Sequence, residues 1–178
     1  MRLFVGIDLP WELRHRLTAL ATAGIQGARW VPPENYHLTL RFIGEVPPHI
    51  AEEIDLALAT LRGKRLDLTL AGVGTFSKGG RANTLYVGVD RNPRLEHLQN
   101  KIETALQRVG LVPERRRYQP HVTLARIDNA PEFKLVAFVQ AHNLYRAETF
   151  SVEHFTLFSA QLGKEQSVYT AEVEYGLG

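Results

Sequence analysis

The sequence predicts an α+β fold, because two landmarks recur along the chain and helical and strand patterns alternate between them. Segment 3–8 (Leu-Phe-Val-Gly-Ile-Asp) matches segment 85–90 (Leu-Tyr-Val-Gly-Val-Asp), at an offset of 82 residues. The signature His-x-Thr-Leu occurs at residues 37–40 and again at residues 121–124, at an offset of 84. Because two separate landmarks recur at nearly the same spacing, we expect two similar halves.

Each half is predicted to begin with a strand and a helix. In the first half, Pro10 follows the strand at residues 3–8 and opens a pattern that places Leu13, Leu17 and Leu20 on one helix face. In the second half, Pro93 opens a longer pattern that ends at Gly110, a residue typical of helix C-termini. The apolar positions of that longer helix are Leu95, Leu98, Ile102, Ala105 and Val109.

A second strand and a second helix follow in each half. The strands carry the two His-x-Thr-Leu signatures, and apolar positions at helical spacing follow Pro47 and Pro131. Further strands are predicted at 66–73, 149–158 and 168–173, the last two joined as a hairpin across residues 161–164.

These elements predict a single bilobal domain of residues 1–178, whose repeated halves are about 1–82 and 83–178. Each lobe is expected to be a mostly antiparallel sheet with helices on its outer face, and the two sheets to face a central cleft. Strands can cross between lobes, so the boundary near residue 82 need not be a boundary in space.

Composition narrows the class of protein. The 178 residues are 44% apolar, enough for a core. The absence of cysteine excludes disulfides, cysteine zinc sites and thiol nucleophiles. Asp8 and Pro10 interrupt the N-terminal apolar segment before it reaches signal-peptide length, and no run approaches membrane-spanning length. We therefore expect a cytoplasmic protein without a membrane partner.

The two signatures present groups suited to phosphoester chemistry. Strand side chains alternate between faces, so each His shares a face with its Thr, about 6.5 to 7 Å away. Both side chains can then reach one phosphate. Two facing histidines can act as a general acid and a general base, since the unperturbed pKa of histidine is about 6.5.

A third His-x-Thr-Leu occurs at residues 154–157. An offset of 84 residues places its counterpart at Leu70, where there is no histidine. The register of the repeat thus pairs His37 with His121, and we interpret His154 as an ordinary strand histidine.

Arginines near the signatures are candidates for phosphate binding. Strict alternation from His37 and Thr39 points Arg41 into the cleft, whereas its counterpart is Ala125. Arg126 faces away on an ideal strand and reaches the cleft only through a bulge or from the strand end. The run 115–117 (Arg-Arg-Arg) is either a solvated surface patch or a contact for a polyanion.

Five aromatic residues are candidates for stacking on a nucleobase: Trp30, Phe42, Phe76, Tyr86 and Tyr118. Trp30 and Tyr118 precede the signatures beside prolines, so we expect these two at the cleft rim.

The glycine-rich segment 72–80 lacks the Gly-Lys-Ser/Thr ending of a P-loop and is predicted to be a hairpin tip, from which Lys78 or Arg81 can contact substrate.

The pattern of metal ligands favours a metal-free site. There is no His-Glu-x-x-His, and neither signature has a carboxylate two residues from its histidine. Threonine is a poor zinc ligand, so we expect neither metal nor cofactor.

The chain resembles the two-histidine (2H) phosphoesterase superfamily, and within it the LigT/ThpR branch of RNA 2′,3′-cyclic phosphodiesterases. The resemblance rests on segments 3–7, 30–46 and 120–126, and the Phe-Ile-Gly-Glu that follows Arg41 makes the first signature specific.

The resemblance implies a bilobal, pseudo-twofold fold with a basic cleft. It implies hydrolysis of a terminal 2′,3′-cyclic phosphate to a 2′-phosphate without metal or cofactor, with His37 as proton donor, His121 as proton acceptor, and Thr39 and Thr123 on the non-bridging oxygens. The partner it implies is RNA with a 2′,3′-cyclic phosphate end. No obligate protein partner is evident in the sequence, so we expect a monomer.

Three alternatives stay open. Members of this branch have also been described as 2′-5′ RNA ligases, and microscopic reversibility makes ligation compatible with the same site. The substrate can instead be a small cyclic nucleotide. The protein can also be a non-catalytic module that binds RNA ends.

Overall fold

The computed structural model describes residues 1–178, the side chain of Ala23 excepted. The four helices are α1 (Trp11–Thr18), α2 (Pro48–Ala59), α3 (Pro93–Val109) and α4 (Glu132–His142). The strands are β1 (Arg2–Asp8), β2 (Ala28–Trp30), β3 (His37–Glu45), β4 (Leu66–Leu68), β5 (Leu70–Lys78), β6 (Arg81–Val89), β7 (His121–Ile127), β8 (Phe150–Val152), β9 (His154–Leu162) and β10 (Ser167–Gly176). The α+β prediction is confirmed.

Most strands belong to one antiparallel sheet with the order β10-β9-β1-β3-β7-β6-β5, and β2 pairs with β7 beside this path. Pairing is weakest at the centre of the sheet, where β3 and β7 are joined by one residue pair, Leu38 with Val122. The two expected sheets are therefore continuous at a single point. We call β1, β3, β9 and β10 the His37 lobe, and β2, β5, β6 and β7 the His121 lobe.

The two halves of the sequence exchange strands. β5, from the first half, pairs with β6, whereas β9, from the second half, pairs with β1. β4 and β8 lie 84 residues apart along the chain and pair with each other as a small second sheet. Each lobe is thus built from both halves of the sequence.

One strand breaks the symmetry. β10 covers the outer edge of β9. On the corresponding outer edge of β5, the described residues form no strand, only an isolated bridge between Ala71 and Arg146. The His37 lobe is consequently the more enclosed of the two.

The core lies on the helical face of the sheet. Leu38, Leu40, Val122 and Leu124 are at most 1% exposed and belong to one cluster that spans both lobes. On that face α3 packs against β3, where the amide of Gln99 donates to the carbonyl of Leu40. The opposite face is left for the polar side chains of the signatures.

Local sequence explains the longest helix. The Asn92 side chain accepts a hydrogen bond from the backbone N–H of Leu95, Pro93 occupies the first turn, and Gly110 ends the helix with φ of +106°. Among the described residues, no helix combines the length and the hydropathy of a membrane-spanning segment.

Candidate active site

Neighbouring strands β3 and β7 carry the two signatures. In each strand the His and Thr are half-buried on one face, while the residues between them are buried on the other. His121 lies close enough to His37 for its charge to lower the pKa of His37. The predicted alternation is confirmed for both signatures, and both histidines lie on one face of the sheet, the face predicted to line the cleft.

His37 is held in a defined tautomer. Its Nδ1 lies 2.8 Å from the carbonyl oxygen of Asn35, which can only accept, so Nδ1 carries the hydrogen. In the neutral ring, Nε2 then accepts from the hydroxyl of Thr39 at 2.9 Å. Nε2 is therefore the ring nitrogen that can take up a proton.

Burial is the main reason that the pKa of His37 falls to about 4, and the charges of His121, Arg126 and Arg14 lower it further. The hydrogen bond to Asn35 acts in the opposite direction. At neutral pH the ring of His37 is thus uncharged in the unliganded protein.

Aromatic rings enclose His37. Ring centroids lie 4.8 Å away for Phe4, 5.2 Å for Tyr169 and 6.3 Å for Phe158. Tyr169 belongs to β10, so the strand without a counterpart shields this histidine.

The turn before His37 is also fixed. Buried Arg14 donates to the carbonyls of Pro33 and Glu34, and the Asn35 amide donates to Ser167 at 2.7 Å. The carbonyl that holds the His37 ring therefore lies on a braced segment.

His121 has the same tautomer in a more open setting. Its Nδ1 lies 2.7 Å from the carbonyl of Gln119, and among the described residues Nε2 has no hydrogen-bond partner. Burial, opposed by the Gln119 bond and aided by the charge of Arg126, lowers the pKa of this ring. Phe76 and Tyr86 flank it at 4.8 and 5.5 Å and stack on each other at 4.3 Å.

A bulge in β3 overturns the prediction for Arg41. Gly6 pairs with Thr39 and Val5 with Arg41, so Leu40 is the extra residue and Arg41 turns to the helical face. There it is 8% exposed, and its guanidinium binds Glu103 of α3 and the carbonyl of Val112. The expectation that Arg41 binds phosphate in the cleft was wrong, because strict alternation fails at the bulge.

The equivalent bulge in β7 brings Arg126 to the cleft. Tyr86 pairs with Thr123 and Leu85 with Ala125, so Leu124 is the extra residue. Arg126 then lies on the histidine face, where its charge lowers the pKa of both histidines. A bulge is one of the two routes by which the sequence allowed Arg126 to reach the cleft.

The short strand β2 carries Arg29, which the sequence did not single out, and Trp30, which was expected at the cleft rim. Arg29 pairs with Arg126, and since cross-strand neighbours share a face, a second arginine lies on the cleft side. Trp30 pairs instead with buried Ala125 and packs against Phe138 of α4. Trp30 therefore lies away from the histidines, and its expected place at the cleft rim was wrong.

Tyr118 connects the lobes. Its hydroxyl donates to the backbone carbonyl of Thr39 at 2.8 Å, and burial raises its pKa. The aromatic rings beside His121 are Phe76 and Tyr86, which the sequence offered as candidates without favouring them.

The third signature lies in β9, two strands from β3. His154 approaches Glu174 at 3.9 Å, and with Asp8 these residues place three ligand-type atoms within 4.8 Å of one another. Arg14 lies 3.5 Å from Asp8 and adds positive charge there, which disfavours a bound cation.

Paired strand histidines, each with a threonine on the same face, are the arrangement of two-histidine phosphoesterases. A family model described as the 2′-5′ RNA ligase superfamily matches residues 10–164, and the chain belongs to that superfamily.

Similar proteins agree with this family. An RNA 2′,3′-cyclic phosphodiesterase of Aeropyrum pernix is 42% identical over 101 residues, which span 56% of this chain and 57% of that relative. One of Methanocaldococcus jannaschii is 28% identical over 98% of this chain and 100% of the relative. Escherichia coli LigT complexed with 3′-AMP has a TM-score of 0.80 at 26% identity, over 99% of this chain and 97% of that one.

Proposed function

We propose that this protein hydrolyses the 2′,3′-cyclic phosphate at the end of an RNA to a 2′-phosphate. The observation that carries the proposal is the pair of histidines whose Nδ1 atoms are fixed by backbone carbonyls, which leaves proton transfer to the two Nε2 atoms; that of His37 accepts from Thr39 in the unliganded protein. The names of the relatives from Aeropyrum pernix and Methanocaldococcus jannaschii support it.

In this proposal the cyclic phosphate lies between the two signatures. Thr39 and Thr123 donate to its non-bridging oxygens, and Arg126 offsets its charge. His121 accepts a proton from the attacking water while His37 protonates the departing 3′ oxygen. Each transfer contributes about 10² to 10⁴ in rate. The Asn35 and Gln119 carbonyls hold both rings in position before the substrate binds, so neither ring has to be ordered on binding.

The role of His37 as proton donor depends on the substrate. Its pKa of about 4 leaves the ring neutral in the unliganded protein. A bound cyclic phosphate brings negative charge beside the ring, which favours the protonated form. The proton that His37 later donates is therefore taken up on substrate binding.

A substrate with sulfur in place of the 3′ bridging oxygen assigns the two roles. A thiolate leaves without a proton, so the variant that lacks the general acid regains activity on this substrate, whereas the variant that lacks the general base does not. We expect recovery for His37→Ala and none for His121→Ala. Recovery in His121→Ala alone would reverse the assignment.

Product analysis tests the activity itself. The protein is incubated with an oligoribonucleotide ending in 2′,3′-cyclic phosphate, and the product is identified as a 2′- or a 3′-phosphate. A 2′-phosphate, formed also in the presence of EDTA, is the expected result. Salt-dependent binding without product under single-turnover conditions would instead identify an RNA-end-binding module.

Ligation, in which a 5′-hydroxyl takes the place of the attacking water, is the second candidate, and the family description favours it. The same acid and base can join a 2′,3′-cyclic phosphate end to a 5′-hydroxyl end, forming a 2′-5′ linkage. Incubation with both ends at high concentration should yield a small amount of ligated product that the same enzyme cleaves again.

We further propose that the protein acts as a monomer in the cytoplasm, as a single bilobal domain. One chain supplies both histidines, and strand exchange makes each lobe depend on both halves of the sequence. Size-exclusion chromatography with light scattering tests the monomer.

A further inference from the structure

Residues 111–120, which we call the basic segment, join α3 to β7. Arg115, Arg116 and Arg117 are all exposed. Among the described residues, no carboxylate lies within ion-pairing distance of these three side chains. The acidic residue of the segment, Glu114, accepts a hydrogen bond from the backbone N–H of Arg116. Three cationic groups therefore face solvent without local neutralisation.

The start of the basic segment is tied to a buried ion pair. Arg41 and Glu103 are 8% and 14% exposed and lie 2.5 Å apart. The Arg41 guanidinium also donates to the carbonyl of Val112 at 2.6 Å, and Glu103 accepts from the backbone N–H of Glu114 at 2.9 Å. The residue that was expected to bind phosphate thus holds this segment in place.

The end of the basic segment is tied to the active site. Tyr118 donates to the carbonyl of Thr39, and the carbonyl of Gln119 holds the His121 ring. Arg117 is four residues from His121, so the Cα atoms of the two residues lie within about 14 Å of each other. Because both ends are fixed, binding a ligand here costs little ordering of the backbone.

We propose that the basic segment binds the phosphate backbone of the RNA chain that leads to the cyclic end. This inference rests on the proposed function and specifies its substrate as an oligonucleotide. Guanidinium groups match phosphate oxygens in a forked geometry, and the paired Arg29 and Arg126 add positive charge on the histidine face of the sheet. An RNA chain can therefore meet cationic groups in the basic segment as well as beside the histidines.

The test compares two substrates with the same reactive end: an oligoribonucleotide of about ten residues and a mononucleotide 2′,3′-cyclic phosphate. The variant replaces Arg115, Arg116 and Arg117 with alanine. The control replaces Arg62, Lys64 and Arg91, three exposed cations elsewhere, and so makes the same change in net charge. The readouts are the ratio of kcat/KM on the two substrates and its dependence on salt.

We expect the wild-type protein to prefer the oligonucleotide, with the preference decreasing as salt increases. The triple arginine variant should lose about tenfold or more of this preference, mainly through KM, and its salt slope should fall by about 2. The control should keep the wild-type ratio.

Two outcomes would overturn the inference: a ratio in the arginine variant equal to that of the wild type, or an equal loss in the control. If the wild-type protein hydrolyses neither substrate, the proposed function itself fails, and this result is distinguishable from the other two.

Discussion

The two lobes use the same backbone device in different surroundings. In both, a strand histidine donates through Nδ1 to the carbonyl two residues before it. His37 is shielded by Tyr169 of β10, whereas His121 lies beside the exposed basic segment. Sequence duplication therefore supplies two equivalent chemical groups, and the strand without a counterpart makes them unequal in burial and in pKa.

The bulges show the same contrast. Directly after the bulge the first half has Arg41, which binds Glu103 in the interior, and the second half has Ala125. One residue later the first half has exposed Phe42 and the second has Arg126 at the cleft. One backbone irregularity thus serves structure in one lobe and electrostatics in the other.

Removing either of the two histidines proposed to be catalytic should have the largest effect, because the proposed reaction uses one from each lobe. We expect His37→Ala and His121→Ala each to reduce kcat by about 10² to 10⁴, since each loses one proton transfer. The measurement is the rate of 2′-phosphate formation. His154→Ala, in the third His-x-Thr-Leu, is the matched control and should keep wild-type activity. Equal loss in all three variants would contradict the pairing of His37 with His121.

Replacing Arg41 tests the structural use of the first bulge. In Arg41→Met, Glu103 stays buried without its partner, so the free energy of unfolding should decrease by about 3 to 5 kcal/mol in urea denaturation. Arg65→Met is the control, since Arg65 and Glu153 are 61% and 60% exposed and such pairs contribute less than about 1 kcal/mol. A loss in Arg41→Met no greater than in the control would disprove this use of Arg41.

The burial of His37 predicts a pH-dependent stability. Its pKa is about 4 in the folded protein and about 6.5 in the unfolded chain, so the unfolded state takes up the proton first as pH falls. The contribution of neutral His37 to the free energy of unfolding is therefore fully present above pH 6.5. It decreases by about 3 kcal/mol between pH 6.5 and pH 4.

The variant His37→Asn places an amide N–H donor at the position of Nδ1, within reach of the Asn35 carbonyl, and does not titrate. Between neutral pH and pH 4, its free energy of unfolding should therefore fall about 3 kcal/mol less than that of the wild type. Parallel pH curves for the two proteins, measured by urea denaturation, would show that His37 is not shielded as described.

The smallest expected effect isolates the contribution of β10. Tyr169→Ala opens one side of the His37 ring, so the pKa of His37 should rise towards its usual value by about one unit, while that of His121 stays the same. NMR titration of the two rings measures both. Val168→Ala removes the neighbouring exposed side chain and serves as the control. An unchanged His37 pKa in Tyr169→Ala would assign its burial to Phe4 and Phe158.

Features with strict periodicity were predictable from the sequence. The repeat identified the matched strands and helices, and alternation placed His37, Thr39, His121 and Thr123 on one face. Arg41 was misplaced for a physical reason. A bulge arises from the pairing between two strands, and no glycine or proline at Leu40 or Leu124 marks it. One extra residue reverses every face that follows it.

Other features depend on distant parts of the chain. The shielding of His37 comes from Tyr169, more than a hundred residues away, and Arg29 reaches the cleft side through a strand of three residues. Such short strands have too few residues to show a period.

Strand exchange also sets the order in which the site can form during synthesis. β5, β6 and β7 are all complete once residue 127 has been made, so the surroundings of His121 can assemble early. β1 pairs with β9, and β10 covers His37, so the surroundings of the first histidine wait for the last residues of the chain. Contacts this distant in sequence fold slowly. A nascent chain that ends after β7 therefore has the surroundings of His121 in place, while His37 is still exposed to solvent. The two-histidine site is complete only after β9 has paired with β1 and β10 with β9.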